Sequence, residues 1–266
     1  MLWWALSFYA ISLLFALWRM GMGLPYRPWV KFALLLPGFL LHTIYLWERG
    51  LAAGHCPVSN LFETLTFITW CLVALHLVIA AVWRIHYLTA FYMPLVLVIQ
   101  LAALIARKTD RPAFENWQES SWLGLHASLI TLGYAAFGLA GAVALMYLVQ
   151  ERQLRTRRLG PSFMLLPPIL RLEGIQVWLL AGGFVLLTVG LVSGFAGMHF
   201  IRQRLLPVDP KLLWSGAIWA MYLILLLGRQ MRGWSGRWLA WSSVVVFAFV
   251  LATFWISNAL SQFHRY

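Results

Sequence analysis

The sequence predicts an all-α protein, a polytopic transmembrane helix bundle of about eight spans, with both termini on the non-cytoplasmic side. Three observations lead there. Of 266 residues, 62% are hydrophobic and only 11% charged, where a soluble domain carries roughly a quarter charged. Apolar runs of spanning length recur eight times along the chain. Lys and Arg then sort unevenly between the two alternating sets of loops.

The first run, residues 2–19, has no basic residue before it, and Arg19, Arg27 and Lys31 follow. No small-residue cleavage site comes after it, so it reads as an uncleaved first span rather than a signal peptide. The second run is 29–47 and the fourth 87–106; each carries an internal proline, Pro37 and Pro94, which membrane helices accommodate as kinks. The third, 60–83, is introduced by Pro57, with Asn60 and Glu63 spaced as N-cap and N3 of a capping box. The fifth covers 121–149 and the sixth 175–198. Between them, Phe163 to Leu172 is too short to span and is broken by Pro167 and Pro168; it reads as an interfacial segment. Asp209-Pro210 starts the seventh run, 212–229, with Asp as cap and Pro at the first helical position. The eighth is 236–259. The long connections are about 107–120, 150–174 and 199–211. No polar stretch is long enough to fold separately, so residues 1–266 read as a single membrane domain.

One set of loops holds twelve basic residues against two acids, with the densest cluster between Arg152 and Arg158. The opposite set holds eight basic residues against six acids. The richer set is cytoplasmic by the positive-inside rule, which gives the N-out, C-out topology. A net charge of +12 is thereby explained by topology, without a nucleic-acid partner. Sixteen Trp and seventeen Phe suit a lipid boundary, where amphipathic rings anchor helix ends. Cys56 and Cys71 lie fifteen residues apart, roughly 20 Å along a helix, too far to bridge.

This topology puts His55, His126, His199 and His264 at the outer surface and His86 at the inner one, with His42 and His76 inside spans. His126 lies near the outer end of the fifth span, with Trp122 four residues earlier on the same helix face and Tyr134 eight residues later on about the same stripe. Two outward histidines from separate spans, His126 and His264, would suit axial ligation of a haem by paired imidazoles. Arg107, Lys108, Arg111, Arg202 and Arg204 stand on that side to pair its propionates. The alternative is that each is a polar interfacial residue, with His264 frayed at a terminus. His42 and His76 read as interhelical hydrogen-bond partners. Glu63 puts a carboxylate on the same side as the outer histidines, available to a ligand or a neighbouring loop. The chain has no Walker loop, GxGxxG fingerprint, HExxH or CxxCH.

Several blocks, in order, resemble the cytochrome c assembly family, the CcsA-type and HemX-like membrane haem-handling proteins. Pro57-Val58-Ser59-Asn60-Leu61-Phe62-Glu63-Thr64 is similar to the family's P-x-S-N-L-[YF]-E-[ST] segment. Trp122-Leu123 with His126 and Gly133-Tyr134-Ala135 resembles the segment of the first external haem-ligating histidine. Asp209-Pro210-Lys211 with Trp214, Trp219 and Tyr222 resembles D-P-K-x-x-W-x-x-x-x-W-x-x-Y, and Arg229, Gly233-Trp234 and Gly236 match R-x-x-x-G-W-x-G. Asn258 to His264 is similar to the segment bearing the second external histidine. Two departures stand out: no tryptophan lies in the stretch from His199 to Val208, and Leu226-Leu227-Gly228-Arg229 stands where the family carries a transmembrane histidine.

The resemblance implies transient binding of haem b at the outer face by His126 and His264, with Trp122, Glu63 and Asp209 at the cofactor. It further implies a role in cytochrome c maturation, in a bacterial-type inner membrane, with other assembly proteins and apocytochrome c as partners. The departures fit a minimal or divergent relative better than a full haem-attaching synthetase. The other readings are a HemX-like regulatory or scaffolding protein of haem biosynthesis and an accessory subunit of a transporter.

Overall fold

The computed structural model describes residues 1–24, 28–83, 85, 87–107, 121–157, 160, 163–202 and 210–260. These form eight α-helices and, among the described residues, no strand. The helices are α1 (Leu2–Gly21), α2 (Pro28–Ala53), α3 (Leu61–Val82), α4 (Leu88–Ala106), α5 (Ser121–Thr156), α6 (Ile169–Arg202), α7 (Pro210–Met231) and α8 (Arg237–Leu260). Each covers all or nearly all of one of the apolar runs that the sequence predicts as spans. Among the described residues six are long and apolar enough to cross a membrane, namely α1, α3, α4, α5, α6 and α7. The chain is an integral membrane protein.

Two helices outgrow the bilayer. The 36 residues of α5 reach about 54 Å at 1.5 Å per residue, against roughly 30 Å of hydrocarbon. The extension consists of good helix formers and carries an Arg155–Glu151 pair at 3.3 Å, one turn apart. The 34-residue α6 begins at Ile169, directly after Pro167 and Pro168. The predicted interfacial segment from Phe163 to Leu172 is therefore divided, its start a 3-10 turn at Phe163–Leu165 and its end the first turn of α6. The 150–174 connection shrinks accordingly.

Glycines let α5 and α6 approach closely. A Cβ at Gly183 would fall 2.7 Å from the Phe137 ring, and one at Gly190 2.7 Å from Ile130. In a bilayer, where apolar burial gives little drive, such backbone contact is what holds helices together. Across the other side of α5, α8 runs antiparallel: Gly236 meets Tyr147, while Phe247 packs on Gly138 and Gly141.

Polar bonds supplement this packing. His42 on α2, fully buried, shares a 3.2 Å hydrogen bond with the hydroxyl of Tyr9 on α1. His76 on α3 bonds Thr89 at 3.4 Å and stacks on Tyr92, both on α4. Both act as the interhelical partners expected of them. At the far end from the site described next, Glu173 of α6 pairs with Arg229 of α7 at 2.9 Å and accepts the Gly236 N–H at 3.1 Å. Gly236 needs its φ of +57° to present that N–H. The R-x-x-x-G-W-x-G turn is thus tied to α6.

Candidate functional site

The antiparallel helices bring the end of α2, the starts of α3 and α5 and the end of α6 to one end of the bundle. Asn60 caps α3, its side-chain oxygen accepting the Glu63 N–H at 2.8 Å. The capping-box geometry differs from the expected one by a residue. The Glu63 carboxylate accepts from the N–H and hydroxyl of Ser59, at 3.0 and 2.7 Å, and pairs with Arg49 of α2 at 2.7 Å. Glu63 is only 3% exposed, so what it binds in this structure is a neighbouring loop and helix. Arg49 and Arg107 each hold a guanidinium about 6 Å from the Phe62 ring, at 6.0 and 5.7 Å.

The turn before Asn60 leans on α5. Cys56 Sγ hydrogen-bonds Ser128 Oγ at 3.3 Å, and a Cβ on Gly124 would stand 3.3 Å from the Cys56 Cβ. Those two positions bracket His126. Burial pushes the Cys56 thiol pKa up; the Ser128 bond opposes this and the Glu63 charge adds to it. Cys56 and Cys71 are both free thiols, as their separation along the chain suggests.

His126 itself faces α6. Its Nδ1 lies 2.7 Å from the carbonyl oxygen of Gly190. A carbonyl only accepts, so the proton sits on Nδ1 and the lone pair on Nε2. Ser193 Oγ donates to the same carbonyl at 2.7 Å. The ring lies so close to Gly194 that a Cβ there would stand 2.5 Å from Nδ1. Trp122, half exposed, lies along the same seam; a Cβ on Gly197 would be 3.7 Å from the Trp122 Cβ. His126 and Trp122 share a face, as their spacing predicts. Tyr134 does not: it turns to Trp214 of α7, with ring centroids 6.0 Å apart. Eight residues leave about 80° of rotation at 3.6 residues per turn, enough to reach a different neighbour.

His264 and Asp209 lie outside the described residues. Pro210 opens α7, as the Asp-Pro pair predicts. Phe247 packs opposite Gly138, and Leu260, the last residue of α8, lies as far beyond Phe247 as Leu125 lies before Gly138. Equal rise per residue therefore ends α8 level with His126.

Sequence reasoning missed what the tryptophans of α7 do. Trp214 Nε1 donates to Thr253 of α8 at 2.7 Å and Trp219 Nε1 to Thr188 of α6 at 2.9 Å. Tyr222 stacks on Phe137 of α5, centroids 3.5 Å apart. Two cavities are lined by described residues alone and bear on the alternatives. One of about 210 Å³ is apolar and lies among α3, α4, α5 and α8, with Tyr134, Leu72 and Phe247 in its wall. The other, about 300 Å³, lies between the end of α2 and the start of α3. Neither is lined by His42, His76 or Glu63, the residues that a transport path would use. No group of three or more His, Cys, Asp or Glu able to hold a metal ion occurs among the described residues.

A family model described as Cytochrome C assembly protein matches residues 58–264. Among relatives, a protein named cytochrome c biogenesis protein CcsA from Synechococcus sp. is 32% identical over 235 residues, covering 79% of this chain and 76% of its own. A protein named HemX from Brevibacillus brevis is 30% identical over 200 residues, covering 75% of this chain and 74% of its own. A further CcsA, from Prochlorococcus marinus, is 28% identical over 257 residues, covering 85% and 79%.

Proposed function

The chain belongs to the cytochrome c assembly protein family, and from that membership we propose that it holds haem at the outer face of the membrane during cytochrome c maturation. The observation that carries this reading is the fixed tautomer of His126. With Nδ1–H donated to Gly190, the imidazole carries its lone pair on Nε2, and an Nδ1–H bond to a backbone carbonyl is how proteins orient a metal-bound histidine. Trp122 adds a half-exposed indole on the same face. The residues present fit haem b.

In this reading His126 and His264 would hold haem transiently, and Arg107 with the other outer Arg and Lys side chains would pair its propionates. Glu63 keeps the turn from Pro57 to Asn60 folded beside His126, and Asp209 is proposed at the cofactor. Bound haem supplies the vinyl carbons to which reduced thiols of an apocytochrome add. This chain's part is to hold and orient the group. Other assembly proteins deliver the thiols in reduced form. Both termini then lie outside a bacterial-type inner membrane, and the whole chain acts as one membrane domain.

The test is to purify the protein with its His126→Ala and His264→Ala variants and record visible spectra. A low-spin bis-imidazole spectrum in the wild type, lost in each variant, is expected. A wild type without haem even after reconstitution overturns the reading. A second reading is a HemX-like regulator of haem synthesis, favoured by the absence of tryptophan between His199 and Val208 and by the HemX relative. Deletion separates the two: loss of c-type cytochromes supports assembly, whereas altered porphyrin levels alone support regulation.

A further inference from the structure

The carbonyl of Gly190 on α6 receives more donors than it has lone pairs. An α-helical carbonyl accepts the N–H four residues on, here that of Gly194 within the unbroken α6. His126 Nδ1 reaches the same oxygen at 2.7 Å, and Ser193 Oγ donates to it at 2.7 Å as well. A carbonyl oxygen has two lone pairs. One is taken along the helix, so the imidazole N–H and the hydroxyl compete for the other.

Close approach of α5 to α6 makes this crowding possible. The His126 ring lies where a Cβ on Gly194 would stand, and Ile130, one turn along α5, does the same at Gly190. A comparable overload occurs at Leu239 on α8, whose carbonyl takes Ser243 Oγ at 2.8 Å and Gln176 Nε2 at 3.2 Å. There the amide has a second acceptor in Ser243 Oγ at 2.8 Å, and its bond to the carbonyl is the long one. At Gly190 neither donor has withdrawn. The His126 bond is shorter than the roughly 2.9–3.0 Å usual for N–H···O, and Ser193 is buried.

We propose that Ser193 is a positioning residue that limits how strongly His126 Nδ1–H bonds the Gly190 carbonyl. Hydrogen bonds polarise one another, and two donors on one oxygen each withdraw the electron density that the other needs. The strength of an Nδ1–H bond in turn sets the basicity of Nε2. Ser193 thus keeps the His126 imidazole less basic than Gly190 alone would make it, which suits a ligand held transiently. That consequence rests on the haem reading above; the competition at Gly190 does not.

The experiment uses the full chain in detergent as wild type, Ser193→Ala and Ser193→Thr. Without haem, the His126 Nδ1–H proton resonance is recorded in histidine-labelled protein. It is expected to move downfield in Ser193→Ala, where the imidazole has the lone pair to itself, and to stay in place in Ser193→Thr, whose hydroxyl can bond the same carbonyl. With haem b added, the reduction potential is measured. Ser193→Ala is expected to favour the ferric over the ferrous form by about threefold, or about 30 mV lower at about 59 mV per tenfold, and Ser193→Thr to match the wild type. A residue that merely propped the carbonyl in place would give the opposite sign, because its loss would weaken the His126 bond. A wild type that binds no haem defeats the functional reading and leaves the resonance to decide. An unmoved or upfield resonance in Ser193→Ala overturns the proposal. So does an unmoved or raised potential in a protein that binds haem.

Discussion

Adding a methyl group at Gly194 places a carbon 2.5 Å from His126 Nδ1, so the imidazole must leave its position on α6. Gly194→Ala is expected to destabilise the protein by about 1–3 kcal/mol, the usual range for overpacking. It should also weaken haem binding by about tenfold or more through loss of the Gly190 bond, measured by thermal unfolding in detergent and haem titration. Unchanged binding would mean that the Gly190 bond does not position the ligand. Cys56 offers a check that needs no haem. Its thiol pKa is raised by burial, so the folded chain holds the thiol proton more tightly than the unfolded chain does. Stability from this group is complete below the ordinary thiol range and falls as pH rises through it toward the folded value. Iodoacetamide should therefore label native protein slowly at pH 8 and faster only above the ordinary range, whereas denatured protein labels at pH 8. Rapid native labelling at pH 8 would contradict the burial. Of these details the sequence shows that His126 and Trp122 share a face, because four-residue spacing is local. Gly190, Gly194 and Ser128 are invisible to it, since their pairing with His126 and Cys56 depends on which helices become neighbours.

The helices read well from sequence because lipid imposes an apolar composition over a fixed length. Their ends read less well. Gln150 to Thr156 carries charge and so resembles a loop, yet local helix propensity and the Glu151–Arg155 pair continue α5 through it. The R-x-x-x-G-W-x-G turn could be recognised but not explained until Glu173 was found beside Arg229. Glu173 is 8% exposed and serves two helices at once, so removing it should loosen the α7–α8 turn. Glu173→Ala and Arg229→Ala are each expected to cost about 1.5–3 kcal/mol, the range for charged hydrogen bonds. The double variant should cost less than their sum, because the pair is shared. Additive losses in a thermal-unfolding cycle would show that the two residues act independently.

For the molecule as a whole, sidedness is the prediction on which the haem reading depends. In a background with Cys56 and Cys71 changed to Ser, a cysteine at Ala52 should react with an impermeant maleimide from outside. A cysteine at Arg155 should react only after the membrane is opened. The reverse pattern would put His126 on the cytoplasmic side. The fold class and helix order were legible because both follow from composition and length. The bundle's seams were not, because small residues mark close approach without naming the partner. The length of α5 has one more consequence. His126 sits in its second turn and Arg152 near its other end, about 39 Å apart on one unbroken rod. If the arginines there rest among anionic lipid headgroups, the rod works as a depth gauge. Membrane thickness then sets how far the His126 end stands clear of the opposite leaflet, and a thinner bilayer lifts it further into water.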